Sequence, residues 1–263
     1  MEFLGNTLSE IALEKSGIFK EGSPVVLAPQ DLDVMVVLKD QASRLNCPIT
    51  VYNEHWTIQK EKETLSFTYK NKHHDVPLPA LLGNHQFINL GTALATLHTL
   101  HNQFPIPHQA VEQGIVTASW PGRLQKLPSN TAFPDMEIWV DGGHNAAGGE
   151  ALAAVLEDWK AKDARPMYLI MGMLKRKIMT DFLRPLAPNI SKLFAVSVEG
   201  YEECHLPQSI VALATELGIN GVNANTLEGA LRLVNQEPPG RVLICGSLYL
   251  VGDTLRKTNF IIE

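Results

Sequence analysis

The strongest constraint on the fold is an alternation in the second half of the chain. Short apolar runs at Glu137 to Val140, Met167 to Met171, Lys192 to Val196 and Arg241 to Cys245 are separated by longer stretches with helical spacing. Runs of that length bounded by turn residues read as strands, and strands alternating with helices build an α/β fold with a doubly wound, mostly parallel sheet. In such sheets ligands gather outside the carboxyl ends of the strands, near a topological switch point. The segment after each strand therefore matters most. These segments are polar and glycine-rich: Asp141-Gly-Gly-His-Asn145, Gly172-Met-Leu-Lys175 and Gly246-Ser247. Taken singly, they are short strand-to-helix turns, with Asn145 and Ser247 as N-caps. Taken together, an Asp, a His and a Ser at strand ends of one sheet point to a shared site.

The first half is mixed. Pro24 to Ala28 reads as a strand, Asp31 to Leu45 as an amphipathic helix, and Ile49 to Tyr69 as short alternating strands. Phe87 to Leu100 and His108 to Ala118 have helical spacing, separated by Phe104-Pro-Ile-Pro107. With 263 residues, two domains fit better than one. The turn signal in Ser119-Trp-Pro-Gly-Arg123 marks the junction, giving domains 1–122 and 123–263.

Composition removes several classes of function. Hydrophobic residues at 45% and charged residues at 19% fit a folded soluble chain. With 28 acidic against 22 basic side chains and a net charge of −6, there is no cationic field for nucleic acid or anionic lipid. Cys47, Cys204 and Cys245 fit neither a disulfide framework nor a zinc knuckle, and a reducing cytosol is the simplest setting. No apolar run of membrane-spanning length occurs, so a cytoplasmic protein is expected. Nothing matches Gly-x-x-x-x-Gly-Lys-Ser/Thr, and Gly142 to Gly148 does not reproduce Gly-x-Gly-x-x-Gly, which disfavours hydride transfer with a dinucleotide.

Individual residues carry alternatives. Thr7-Leu-Ser-Glu10 has capping-box spacing and predicts a helix to Lys15. Leu8, Ile11 and Ala12 define its apolar stripe, on which Lys15 falls either as a partly desolvated, nucleophilic amine or as a snorkelling lysine. Gly83-Asn-His-Gln-Phe-Ile-Asn89 offers amides that either bind a nucleobase or cap a helix. Arg123, beside the junction, is either a phosphate clamp or a solvated linker arginine. His144, three residues after Asp141, suits substrate binding or proton transfer, against the commoner structural role. His73-His74 and Lys175-Arg-Lys177 have no partners at ligand spacing and are expected to be solvated.

In order along the chain, Leu4-Gly-Asn-Thr, Glu14-Lys-Ser-Gly-Ile18, Gly83-Asn-His-Gln86 with Asn89, Pro121-Gly-Arg123, Asp141-Gly-Gly-His-Asn145, Gly172-Met-Leu174 and Cys245-Gly-Ser-Leu-Tyr249 resemble the folylpolyglutamate/dihydrofolate synthases of the Mur ligase superfamily. The resemblance spans nearly the whole chain and is to that family's second half. It implies the carboxy-terminal portion of a central ATPase domain followed by a Rossmann-like domain. The implied chemistry is an ADP-forming ligation. Mg-ATP phosphorylates a dihydropteroate or folate carboxylate, and the amine of L-glutamate attacks the acyl phosphate.

Carried over by position, the resemblance makes Lys15 a magnesium ligand once carbamylated. It makes Asn89, Arg123 and Asp141 nucleotide contacts, and it places His144 beside the transferred phosphate and the glutamate. Ser247 falls on the glutamate side. The implied cofactors are ATP and Mg2+, and the expected partners are small molecules acting on a monomer. The family's phosphate loop and acidic magnesium ligand are expected upstream of Met1, so the chemistry is expected to be incomplete in this chain. Gly143 stands where alanine is frequent, Ala146 where proline is, and Lys175-Arg-Lys177 replaces a more acidic stretch. Two other readings remain: a non-catalytic binding module that needs a separate amino-terminal half, and an NAD-dependent enzyme, which would require nicotinamide binding.

Overall fold

The computed structural model describes residues 7–129 and 133–257. Leu4-Gly-Asn, the start of the first motif, lies outside the described residues. The chain divides into two compact units, Met1–Ser119 and Trp120–Glu263, three residues earlier than the junction expected at 122/123.

In the first unit, α1 (Leu8–Ser16) begins at a capping box. The Thr7 hydroxyl accepts from the Glu10 amide at 3.2 Å, and the Glu10 carboxylate accepts from the Thr7 amide at 3.2 Å. Reciprocal bonds of this kind satisfy two amides that a helix start would otherwise leave open. The buried positions of α1 are Ala12 and Ser16, whereas Leu8 and Lys15 are exposed. The expected stripe through Leu8 and Lys15 is therefore corrected, because the buried face is set by two small residues four apart.

Next come β1 (Val25–Leu27), α2 (Leu32–Arg44) and β2 (Ile49–Val51), the two strands pairing in parallel over Val25, Leu27, Ala42, Cys47 and Val51. Beyond them lie three antiparallel strands, β3 (Trp56–Glu61), β4 (Thr64–Tyr69) and β5 (Lys72–Pro77). Period-two burial puts Trp56, Ile58, Leu65 and Phe67 on one face, which packs on Leu94 and Ala95 of α3 (His85–Thr99) and Ile115 of α4 (His108–Thr117). β5 adds to the expected elements; its Lys-His-His-Asp start hides an edge strand.

His74 departs from the expectation that it is solvated. His73 is exposed and meets Asp75, but His74 is half-buried, its ring 5.1 Å from that of His98. His98 in turn stacks on Tyr69 at 4.9 Å and Phe67 at 5.6 Å. Burial lowers the His98 pKa from 6.5, and the neighbouring His74, His101 and Lys72 push it further down. A histidine lowered by folding stays neutral in the native state while the unfolded chain takes up its proton, so stability is lost as pH falls below the unfolded value. The urea midpoint of the first unit should therefore drop as pH is taken down from about 6.5. His98→Phe should flatten that acid limb; an unchanged pH dependence in the variant would count against it.

The second unit contains β6 (Gln125–Lys126), β7 (Met136–Val140), α5 (Ala146–Lys162), β8 (Met167–Met171), α6 (Met179–Leu186), β9 (Lys192–Val196), α7 (Pro207–Glu216), β10 (Gly221–Asn225), α8 (Leu227–Val234), β11 (Gly240–Cys245) and α9 (Leu248–Lys257). The sheet order is β10-β9-β8-β11-β7-β6, parallel except at β6. Alternate side chains face opposite layers. Leu169, Met171, Leu193 and Leu243 meet α5, α6 and α7 through residues such as Leu156, Phe182 and Ile210. Tyr168, Ile170, Val242 and Ile244 meet α8 and α9 through Leu231, Val234, Leu250 and Val251. This is the doubly wound, mostly parallel α/β arrangement expected from the alternation of strands and helices. Phe182, Leu183 and Leu186 are fully buried, each contributing about 1.5–3 kcal/mol.

At the amino ends of these strands the charges are mutually matched. Arg241 reaches Glu137 at 3.3 Å and Asp163 at 3.1 Å, while Arg165 closes on both of these acids and Lys126 on Glu137. Burial opposes ionisation of Glu137, but the Trp139 indole N–H, Lys126 and Arg241 outweigh it and hold its pKa at about 2.

Candidate active site

The central strands are β8, β11 and β7, and their carboxyl ends meet through the backbone. The Asp141 amide donates to the Ile244 carbonyl at 3.0 Å, the Gly246 amide to Gly143 at 3.0 Å, and the Gly172 amide to Cys245 at 3.4 Å. The three loops expected to share a rim therefore do so. β11 lies between β7 and β8 although it comes last in sequence, so the order reverses here, where ligand crevices form.

Asp141 organises this rim. One carboxylate oxygen accepts from the Gly143 amide at 2.6 Å and the other from the Leu124 amide at 2.8 Å. The second bond, with Gly142 donating to the Gly122 carbonyl at 2.8 Å, clips the Gly122–Leu124 segment onto the loop after β7. Leu124 is held there in the left-handed region at φ 41°. Arg123 lies between these clipped residues, with Nη1 3.0 Å from where a Cβ on Gly142 would stand. That Cβ would also fall 2.2 Å from Leu248 Cδ2, so a side chain here would require Leu248 and Arg123 to shift. Arg123 is exposed and has no carboxylate within ion-pair distance among the described residues.

His144 is half-buried, and its Nδ1 lies 2.8 Å from the Gly142 carbonyl. A carbonyl only accepts, so Nδ1 carries the proton and Nε2 is left as the basic nitrogen. Burial lowers its pKa from 6.5; the bond to Gly142 works the other way, and Lys177, Arg123 and Arg176 lower it further. The ring is therefore neutral near pH 7. Asn145, next in sequence, caps α5 by accepting from the Gly148 amide at 2.9 Å.

Ser247 is buried, and its hydroxyl accepts from the Tyr249 amide at 3.2 Å, closing the first turn of α9 as a cap does. Its own proton remains free to donate. Between Ser247 and His144 opens a cavity of about 220 Å³ whose wall includes Arg176, Lys177, Gly246 and Tyr249. Arg176 and Lys177 were expected to be solvated. Lys175 and Arg176 are exposed as expected, whereas Lys177 is half-buried, and both Arg176 and Lys177 line this cavity. The available signal was their place just after a central strand, and a basic run alone does not distinguish a cavity wall from a solvated turn.

Arg123, Asp141, His144 and Ser247 thus belong to one rim of the second unit. Lys15 and Asn89 belong to the first. Asn89 lies within α3, where its amide nitrogen donates to Gln86 at 2.9 Å. Asn84, at the N-cap, makes no side-chain capping bond, so the capping alternative for this motif does not hold. Among the described residues no group of three His, Cys, Asp or Glu could hold a metal ion.

A doubly wound domain that gathers uncompensated cations and a neutral imidazole at its strand ends has the chemistry to bind small anions. Comparison with known proteins narrows that class. A family model described as "Dihydrofolate synthetase, C-terminal domain" matches residues 124–257, and the chain belongs to the dihydrofolate synthase/folylpolyglutamate synthase family of Mur ligases. It is 27% identical over 266 residues to a dihydrofolate synthase/folylpolyglutamate synthase of Bacillus subtilis, covering 98% of this chain and 60% of that protein. Escherichia coli FolC, solved in complex with DHPP and ADP, superposes with a TM-score of 0.84 at 21% identity over 98% of this chain and 58% of that one. A bifunctional folylpolyglutamate synthase/dihydrofolate synthase of Yersinia pestis, solved with AMPPNP and a manganese ion, does so with a TM-score of 0.81 at 22% identity, again over 98% and 58%. The chain spans about 60% of the length of the Bacillus subtilis protein and of a dihydrofolate synthetase of Saccharomyces cerevisiae, and less of some other relatives.

Proposed function

We propose that this chain forms the glutamate-side part of an ATP-dependent amide ligase that joins L-glutamate to dihydropteroate, to reduced folates, or to both. The observation that carries the reading is that His144 and Ser247 line one cavity at the strand ends while the Asp141 clip holds the Arg123 segment at the same rim. In the reaction, the acceptor's carboxylate takes the γ-phosphoryl group of ATP, releasing ADP. The glutamate amine then attacks the acyl carbon, the bond to the phosphate oxygen breaks, and phosphate departs. The attacking nitrogen must lose a proton. Neutral His144 Nε2 suits that role, its tautomer set by the Gly142 carbonyl.

Arg123, unpaired and held by the clip, suits the charge that builds on phosphate oxygens. Ser247 offers a hydroxyl to a carboxylate of the incoming amino acid. Asn89 carries over from the resemblance as a nucleotide contact. Magnesium would neutralise the phosphates, but the described residues include no ready-made ligand cluster for it. Lys15, once carbamylated, would add one oxygen ligand, and its exposed amine is open to that modification. We place the protein in the cytoplasm as a monomer. Three buried free thiols suit a reducing compartment, and no described helix is long and apolar enough to cross a membrane.

The full-length protein should release ADP only when L-glutamate and a pteroate or folate acceptor are both present. His144→Ala should lower kcat by about 10²-fold, the usual size of a general-base contribution. ADP release indifferent to L-glutamate would sink the reading, and an unchanged kcat in the variant would remove the base role.

A further inference from the structure

A cavity of about 290 Å³ lies wholly within the first unit, where the carboxyl end of α3 meets β4, β5 and α4. No residue assigned a role in ligation lines it. Asn89 stands near the start of α3, and the rise of an α-helix puts His98 about 13 Å further along the axis. Half of the wall consists of rings, supplied by Phe67, His74, His98, His101, Phe104 and His108. The remainder is aliphatic apart from Glu112.

The rings are held in place. His98 stacks on Tyr69 at 4.9 Å and on Phe67 at 5.6 Å, and the His74 ring lies 5.1 Å from it. Between α3 and α4, the segment Phe104-Pro-Ile-Pro107 leaves Phe104 63% and Ile106 40% exposed, although both line the cavity. Its two prolines fix φ at every second residue, so this apolar lip is set before anything binds. Large apolar side chains kept in water at the edge of an apolar cavity mark a surface that a ligand covers.

Size, charge and hydrogen bonding narrow the ligand. A dry cavity of about 150 Å³ takes one benzene ring, so roughly twice that volume suits two fused rings. The wall offers no lysine or arginine to an anion, and burial with the neighbouring His74, His101 and Lys72 keeps the His98 imidazole from charging. Its one carboxylate, Glu112, already meets His108 at 3.5 Å and would repel an anion while being only partly free for a cation. An uncharged ligand fits best. His74 Nε2 is buried and makes no hydrogen bond among the described residues. An orphaned buried nitrogen is destabilising, and a donor on the ligand relieves it.

We propose that this cavity binds an uncharged, planar, bicyclic aromatic compound bearing one N–H or O–H group, with its rings among Phe67, His98 and Phe104 and its donor directed to His74. The site is independent of the ligase reading and stands or falls without it.

Isothermal titration calorimetry of the whole chain with indole as the probe tests the assignment. Indole should bind one to one, and 1-methylindole, which lacks the donor, about tenfold more weakly. Tryptamine and indole-3-acetate, which carry opposite charges, should also bind at least about tenfold more weakly than indole. His74→Phe keeps a ring and removes the nitrogen, so it should bring indole down to the affinity of 1-methylindole and leave 1-methylindole unchanged. Leu97→Trp fills the cavity and should abolish binding, with circular dichroism confirming the fold. Phe104→Ala, at the exposed lip, should weaken indole several-fold at unchanged thermal stability. The assignment is overturned by the absence of saturable indole binding, by equal affinity for indole and 1-methylindole, or by binding that survives both Leu97→Trp and Phe104→Ala. Tighter binding of indole-3-acetate than of indole would mark an anion site and overturn it as well.

Discussion

Gly246→Ala should destabilise the second unit by about 3 kcal/mol or more, combining a strained backbone with a clash that cannot relax. Gly246 has φ +100°, in a region that residues with a Cβ rarely enter. A Cβ there would also lie 2.6 Å from the Gly172 carbonyl oxygen and 3.3 Å from Met171 Cγ. The first of these neighbours is backbone of the adjoining central strand's loop, so no rotamer change relieves it. The Gly246 amide also holds Gly143, so moving it would separate the loops after β7 and β11. Urea denaturation should show the loss of stability, and under the proposed ligase function the same variant should lose glutamate-dependent ADP release. A destabilisation below about 1 kcal/mol would mean that the rim is more plastic than its packing implies.

Asp141→Ala should have an effect of similar size, about 2–4 kcal/mol, because it leaves two amides without acceptors. The Leu124 and Gly143 amides each use a different oxygen of Asp141. Asparagine is therefore a sharper probe than alanine: it keeps one acceptor but turns an NH2 toward the other amide, so Asp141→Asn should recover less than half of the loss. Denaturation of the two variants side by side decides the matter. If asparagine behaves like wild type, the clip between Asp141 and Leu124 does not contribute to stability. The same comparison bears on function, since losing the clip releases Arg123 without touching its charge.

The second unit was legible because its central strands are covered on both faces and so read as apolar runs. Met167–Met171 and Lys192–Val196 have the bounds expected from the sequence. β10 is hidden in the sequence because Asn223 and Asn225 stand where a core strand would carry apolar side chains, and it lies at the sheet edge with a register shift. β6, two residues long, carries no periodicity at all. Lys15 falls on the wrong face of a helical wheel because α1 buries Ala12 and Ser16, and side chains that small leave only a faint apolar signal. Strand-end logic located the loops carrying Asp141, His144 and Ser247. It also reached Lys175, but whether the next two residues turn toward a cavity depends on contacts with the 203–205 loop, which lies far along the chain and has no local signature.

The placement of β11 bears on how the molecule is made. β11 is the last strand of its sheet in sequence, yet it forms hydrogen bonds on one side to β7 and on the other to β8. While the chain emerges from a ribosome, β8, β9 and β10 can pair as they appear, but β7 has no parallel neighbour until β11 arrives. A nascent second unit therefore exposes a central slot flanked by apolar edges for the time needed to make everything between residues 140 and 240. Gly246 and Ser247 come directly behind the strand that fills the slot. The rim of strand-end loops and the finished sheet are completed in one step, so an incompletely synthesised chain would present sticky strand edges and no assembled rim.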